Sequence, residues 1–97
     1  HMPIKIRRII TRERLKTYFE NMKVAMQTLQ INERAEGLHE IIDWVKRYYS
    51  DAEVFAKRSD FVSALAAIAY CEGILEALRL LGLVSFSWKS ESMKRIQ

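Results

Sequence analysis

Arg34 and His39 are the residues of this 97-residue chain whose types and spacing come nearest to catalysis. A histidine can act as general base while an arginine stabilises a phosphorane, so the pair would suit phosphodiester cleavage. On one continuous helix, however, a turn of about 100° per residue sets the two side chains roughly 140° apart. Gly37 also interrupts the stretch between them. Glu36, Glu40 and Asp43 follow at i, i+4 and i+7 with His39 beside them, a spacing that permits a divalent ion. Glu72 and Glu76 could complete a two-helix carboxylate site, but no Glu-x-x-His pair accompanies them. A plainer role fits better: acids favour the N-terminal half of a helix, and Asp43 with Arg47 is an i, i+4 ion pair. Cys71, the single cysteine, stands among apolar residues and reads as a buried, inert thiol. Trp44, Tyr48, Tyr49 and Phe55 could stack bases, yet at helical spacing they read first as core. No phosphate loop, zinc-ligand spacing or nucleophile elbow occurs. We therefore expect no enzyme, with no catalytic residue, no cofactor and no metal.

The charges point elsewhere. The net charge is +4, and it resides at the two ends of the chain. Residues 1–16 carry Lys5, Arg7, Arg8, Arg12, Arg14 and Lys16 against Glu13 alone; the last fifteen carry Lys89, Lys94 and Arg95 against Glu91. The middle is net acidic. Basic ends attract anionic polymers, so Lys5, Arg7, Arg8, Arg12, Lys89, Lys94 and Arg95 are the candidate nucleic-acid contacts. Ile4, Ile6, Ile9 and Ile10 interleave with the first group and would equally let the arm dock on protein.

Three long elements must position these residues. Leu15, Phe19, Met22, Met26 and Leu29 recur at helical spacing, and with Thr11 as N-cap they predict helix 1 over residues 12–29. Asn32 is the expected N-cap of helix 2, predicted over 33–57 from the wide stripe Leu38, Ile42, Val45, Tyr49, Ala52 and Ala56. Ser59 or Asp60 caps helix 3, predicted over 61–81, with Gly82 at the left-handed C′ position and Leu83 folding back. Helix 3 is apolar nearly all round in its first half, and Ala64, Ala66, Ala67 and Ala69 would let neighbouring helices approach closely. It is therefore either the most buried helix or one that also faces a second protomer. Few glycines, one proline and short connections predict an all-α, antiparallel up-down-up three-helix bundle. We divide the chain into a tag remnant and basic N-terminal arm (1–10), the bundle (11–83) and a short C-terminal tail (84–97). In the tail Val84, Phe86 and Trp88 alternate with polar residues, as in an extended segment laid on the bundle. The apolar stretch over 61–81 is broken by Glu72, Glu76 and Arg79, so no membrane span is expected. With no signal peptide discerned and one cysteine, the cytoplasm is the expected compartment.

Helices 2 and 3 carry a resemblance. Tyr48-Tyr49-Ser50-Asp51-Ala52-Glu53-Val54-Phe55, Ser59-Asp60, Ala64-Leu65-Ala66-Ala67-Ile68-Ala69-Tyr70 and Gly73-Ile74-Leu75-Glu76-Ala77-Leu78-Arg79-Leu80-Leu81-Gly82-Leu83 are similar to the archaeal family of short proteins called domain of unknown function 357. The likeness covers residues 48–83, with helix 1 agreeing in character only. The chain departs from the family pattern at Ser59, where Gly is usual, and at Glu76, where Asp is usual. The resemblance implies a three-helix bundle of archaeal origin and no activity. Fainter similarities, in the small apolar residues at helical spacing, are to helical repeat proteins and to HEPN-class helical domains, the latter also in the Arg34–His39 spacing.

The expected function is a non-enzymatic helical protein-interaction module, binding a protein partner or a second copy as a homodimer, through a bundle face that includes helix 3 or through the flanking arms. The alternative is a small nucleic-acid-associated protein using the basic ends.

Overall fold

The computed structural model describes residues 10–89. Its elements are α1 (Arg12–Gln27), β1 (Gln30–Ile31), α2 (Leu38–Lys57), α3 (Phe61–Leu80) and β2 (Val84–Ser85). Helix α1 opens where Thr11 Oγ1 accepts from the Arg14 amide at 3.1 Å, and α3 where Asp60 Oδ1 accepts from the Ser63 amide at 3.2 Å. Each cap satisfies a backbone donor that the helix cannot. Helices α2 and α3 stop alike. The Asp60 amide reaches Phe55 O and the Ser59 amide reaches Ala56 O; likewise Leu83 reaches Leu78 O and Gly82 reaches Arg79 O. Both are Schellman ends with a left-handed residue at C′, Ser59 at φ 63° and Gly82 at φ 79°. Glycine adopts that conformation freely, whereas serine does so at a cost of about 1 kcal/mol. Ser59 is held there in part by Arg12, which donates to Ser59 Oγ at 3.0 Å and to Ala56 O at 3.2 Å and lies over the Phe61 ring.

Those Arg12 contacts put the start of α1 beside the end of α2 and the start of α3, so the three helices run up, down and up. Helix α3 is the shared member: it packs most extensively on α2, next on α1. The main core joins Met22 and Ala25 of α1, Val45, Tyr49 and Ala52 of α2, and Ile68, Cys71 and Leu75 of α3. Each large aliphatic chain fully buried there stabilises the fold by about 1.5–3 kcal/mol. Phe19 meets Tyr49 edge-on at 5.6 Å, bringing α1 against α2.

Three expected boundaries differ, that of α3 by one residue, Leu81 being its C-cap. Helix α1 ends at Gln27, two residues early, because Gln30–Ile31 pairs antiparallel with Val84–Ser85. Helix α2 starts at Leu38, not at Glu33, and Gly37 stands at its N-cap with φ 81°. Asn32 does not cap it. The Asn32 and Glu33 amides instead donate to Leu83 O, and Asn32 Oδ1 accepts from Ser85 Oγ. Residues 33–36 are polar or small and exposed, so no burial recruits them to the helix. Leu38 is the first residue to enter a core, a second cluster with Ile42, Leu78 and Val84. Beyond β2, Phe86 and Trp88 lie edge to face at 4.7 Å and partly buried against the main core.

Candidate interaction surface

Helix α3 turns Ala64, Ile68, Cys71, Leu75 and Leu78 into the bundle. Its opposite side carries Val62, Ala66, Ala69, Tyr70, Gly73, Ala77, Leu80 and Leu81, all exposed and none charged. Val62, Leu80 and Leu81 are each 72% exposed. The row from Val62 to Leu80 runs about 27 Å along the helix. Helices on protein surfaces normally present charge outward; here the ionisable residues, Glu72, Glu76 and Arg79, line one flank only. Arg79 Nε donates to Glu76 Oε1 at 2.9 Å, closing that flank with an ion pair. The pair holds the Glu76 carboxyl below its ordinary pKa.

The other flank is aromatic. Tyr48 and Tyr70 rings meet at 4.6 Å, Trp44 and Tyr48 at 5.4 Å, and the Trp44 indole donates to Tyr70 Oη at 3.4 Å. Arg47 lies over the Trp44 ring at 5.1 Å. Gly37, Ile41, Trp44, Tyr70 and Ile74 line a shallow hollow of about 550 Å³, with Glu40 as its one charged residue. Trp44 and Ile41 are 42% and 41% exposed. The apolar surface thus continues from α3 across the seam onto α2. By length and composition α3 is also apolar enough to cross a membrane, the one such helix among the described residues.

The remaining hollows are of other kinds. A groove of about 590 Å³ between α1 and α2 has Leu15, Phe19, Tyr49 and Ala56 along its floor and both signs of charge on its rim. Asn21, Ala69, Glu72, Gly73, Glu76 and Trp88 line a hollow of about 450 Å³ on the charged side of α3. Glu72 Oε1 is buried there without a hydrogen-bond partner among the described residues, and burial raises its pKa.

The residues singled out in the sequence are dispersed. Arg34 lies ahead of α2, in the connection, while His39 lies inside the helix, so the two do not share a helix; both are exposed. Glu36 is likewise outside α2, which removes it from the helical row with Glu40 and Asp43. Among the described residues no three His, Cys, Asp or Glu side chains converge as metal ligands. Cys71 is buried, its Sγ 3.4 Å from Val45 O, and burial pushes the thiol up to about 11. Of the aromatic set, Tyr49 is core, Tyr48 and Phe55 are half-buried, and Trp44 is exposed. Of the basic candidates, Arg12 is engaged as described above, and Lys89 Nζ pairs with Glu20 Oε1 at 2.8 Å. Lys5, Arg7, Arg8, Lys94 and Arg95 lie outside the described residues. Val62, Tyr70, Gly73 and Leu80 were not among the candidate residues. Their signal in the sequence was the run of small and uncharged residues in α3, which does not by itself mark the side that faces out.

Neither a curated protein nor a solved structure matches the chain. The model of a family described as "Protein of unknown function (DUF357)" matches residues 13–84. That match runs through all three helices and into β2, and by it the chain belongs to the DUF357 family.

Proposed function

We propose that the protein is a non-enzymatic, cytoplasmic interaction module whose working surface is the outer side of α3 with the adjoining Trp44 and Ile41 of α2. The observation that carries this reading is the uncharged, exposed row from Val62 to Leu80. Large contiguous apolar patches on a protein surface mark interaction sites, and here Val62, Leu80 and Leu81 at 72% exposure share one face with exposed Tyr70 and Trp44. A lone, buried thiol accords with a reducing compartment. The nucleic-acid reading finds less support: Arg12 and Lys89, the described cations named for it, are held by partners within the chain.

The native size of the chain in extracts of its own cells tests the reading. Wild type and Lys46→Glu, a change on the far side of α2, are expected to migrate well above the monomer mass of 11.4 kDa. Gly73→Glu is expected to migrate at the monomer mass. Wild type migrating as a monomer, or no difference between the two variants, would overturn it.

A further inference from the structure

We propose that the covering partner is a second copy of this chain, the two α3 helices packing antiparallel about a two-fold axis that passes near position 71. The proposal rests on the interaction-module reading and names its partner.

Gly73 is the first ground. It sits inside α3, where glycine costs about 1 kcal/mol relative to alanine. Its φ is not left-handed, and a Cβ built on it meets nothing within 4 Å. Neither backbone conformation nor packing within the chain calls for glycine there. Close approach of another helix does, because small residues at a crossing let two backbones come together.

The row is also complementary to itself. Val62 and Leu80 stand at its ends, Ala69 and Gly73 at its centre, and each pair is equidistant from position 71. Reversing one helix against the other therefore seats Val62 on Leu80 of the second copy and Ala69 on Gly73 of the second copy.

The flanks decide the direction. A perpendicular two-fold axis brings like flank to like flank. Tyr70, Trp44 and Ile41 then meet the same residues of the second copy, with the two Tyr70 rings next to the axis, and Glu76 with its Arg79 partner stays along an edge open to water. A parallel pair would instead press the Glu76–Arg79 pair against the second copy's aromatics, at a desolvation cost.

The area suffices. A stable pair buries about 800 Å² per copy. Val62, Leu80 and Leu81, each 72% exposed, and Tyr70, Trp44 and Ile41, exposed at 47%, 42% and 41%, with the small residues between, supply an area of roughly that order. A lipid surface fits less well: helices that lie on membranes carry large apolar side chains beside Lys and Arg, whereas this row is small at its centre and its flank is acidic.

Sedimentation velocity of the full chain from micromolar to millimolar concentration is the first test, with Gly73→Ala and Gly73→Glu beside it. Wild type is expected to form a dimer. Gly73→Ala is expected to weaken the dimer at least about tenfold while raising the thermal midpoint of the diluted monomer, two effects of opposite sign that only an interface produces together. Gly73→Glu is expected to abolish the dimer. Mixing Val62→Cys with Leu80→Cys and adding a short bis-maleimide linker, to which each thiol adds across a double bond, should then join position 62 to position 80. A monomer at every concentration would overturn the proposal, as would 62–62 and 80–80 cross-links in place of 62–80. Flotation of the chain with phospholipid vesicles, lost in Gly73→Glu, would overturn it in favour of a lipid partner. A purified monomer whose large native complex in cell extracts is still lost in Gly73→Glu would sink this proposal and leave the module reading standing.

Discussion

Helix α3 has two flanks beyond its core, and the chain treats them differently. On the α1 side the segment after Gly82 folds back as a cover. Val84 is 1% exposed, β2 pairs with β1, and Phe86 and Trp88 close over the main core. Polar anchors fix that cover: the Ser87 amide donates to Thr28 Oγ1 at 2.9 Å and the Lys89 amide to Asn21 Oδ1 at 2.7 Å. On the α2 side Tyr70, Trp44 and the row from Val62 to Leu80 have no such segment over them among the described residues. Charge separates the two sides: Glu72 and Glu76 stand beside the cover, and the open side carries no charged residue of α3. Shape differs as well: the cover rests Trp88 beside Asn21, Glu72 and Glu76, whereas the open side sets small residues between large apolar ends, to which a helix fits better.

One substitution placed on both sides sets the contrast at its largest. Val84→Asp buries a carboxylate in the cluster of Leu38, Ile42 and Leu78 and is expected to destabilise the fold by about 3 kcal/mol or more. Val62→Asp, on a side chain 72% exposed, is expected to change the stability of the monomer by less than about 0.5 kcal/mol. Urea denaturation at low protein concentration measures both. Equal losses would erase the distinction between a covered and an open side.

The anchors of the cover give a smaller effect. Asn21→Ala removes the acceptor of the Lys89 amide, and Thr28→Val removes the acceptor of Ser87 together with a donor to Val24 O. Each is expected to cost about 1 kcal/mol. In a Trp44→Phe background, Trp88 fluorescence should shift to the red in either variant while helix content stays the same. Loss of helix content would instead make the segment after Gly82 part of what holds α3 together.

Much of this arrangement was legible in the sequence because its signals are local. Thr11, Asp60 and Gly82 announce their caps within a few residues of the groups they satisfy. The start of α2 was not legible for the opposite reason. Asn32 has the side chain of an N-cap, but its amide is claimed by Leu83, distant in sequence, and a strand pair takes the residues before it. Ser59 at positive φ was signalled only by the family resemblance, in which glycine is usual there. For the surface, the small residues of α3 were visible, but which of them face out was not. A helix without charge on one side has no amphipathic contrast to orient it, and only the packing of α1 and α2 shows which side remains.

The smallest effect concerns Glu72, which shares its hollow with Trp88. Burial raises its carboxyl pKa above the ordinary 4.5. In that window the folded chain binds more protons than the unfolded one, so stability falls as pH rises from the ordinary carboxylate value through the raised one. Glu76, one turn later, has the opposite sign: Arg79 lowers its pKa, and its contribution is present above the ordinary value and lost as pH falls through the lowered one. Glu72→Gln is therefore expected to raise the thermal midpoint slightly at neutral pH, with the gain vanishing on acidification; Glu76→Gln should show no such gain. If the cover is what buries Glu72, then Trp88→Ala returns its titration toward 4.5 in carboxylate NMR and removes the benefit of Glu72→Gln. Should the shift persist without the indole, the burial belongs to α3 and α1 themselves, and the cover merely rests on a hollow that exists without it.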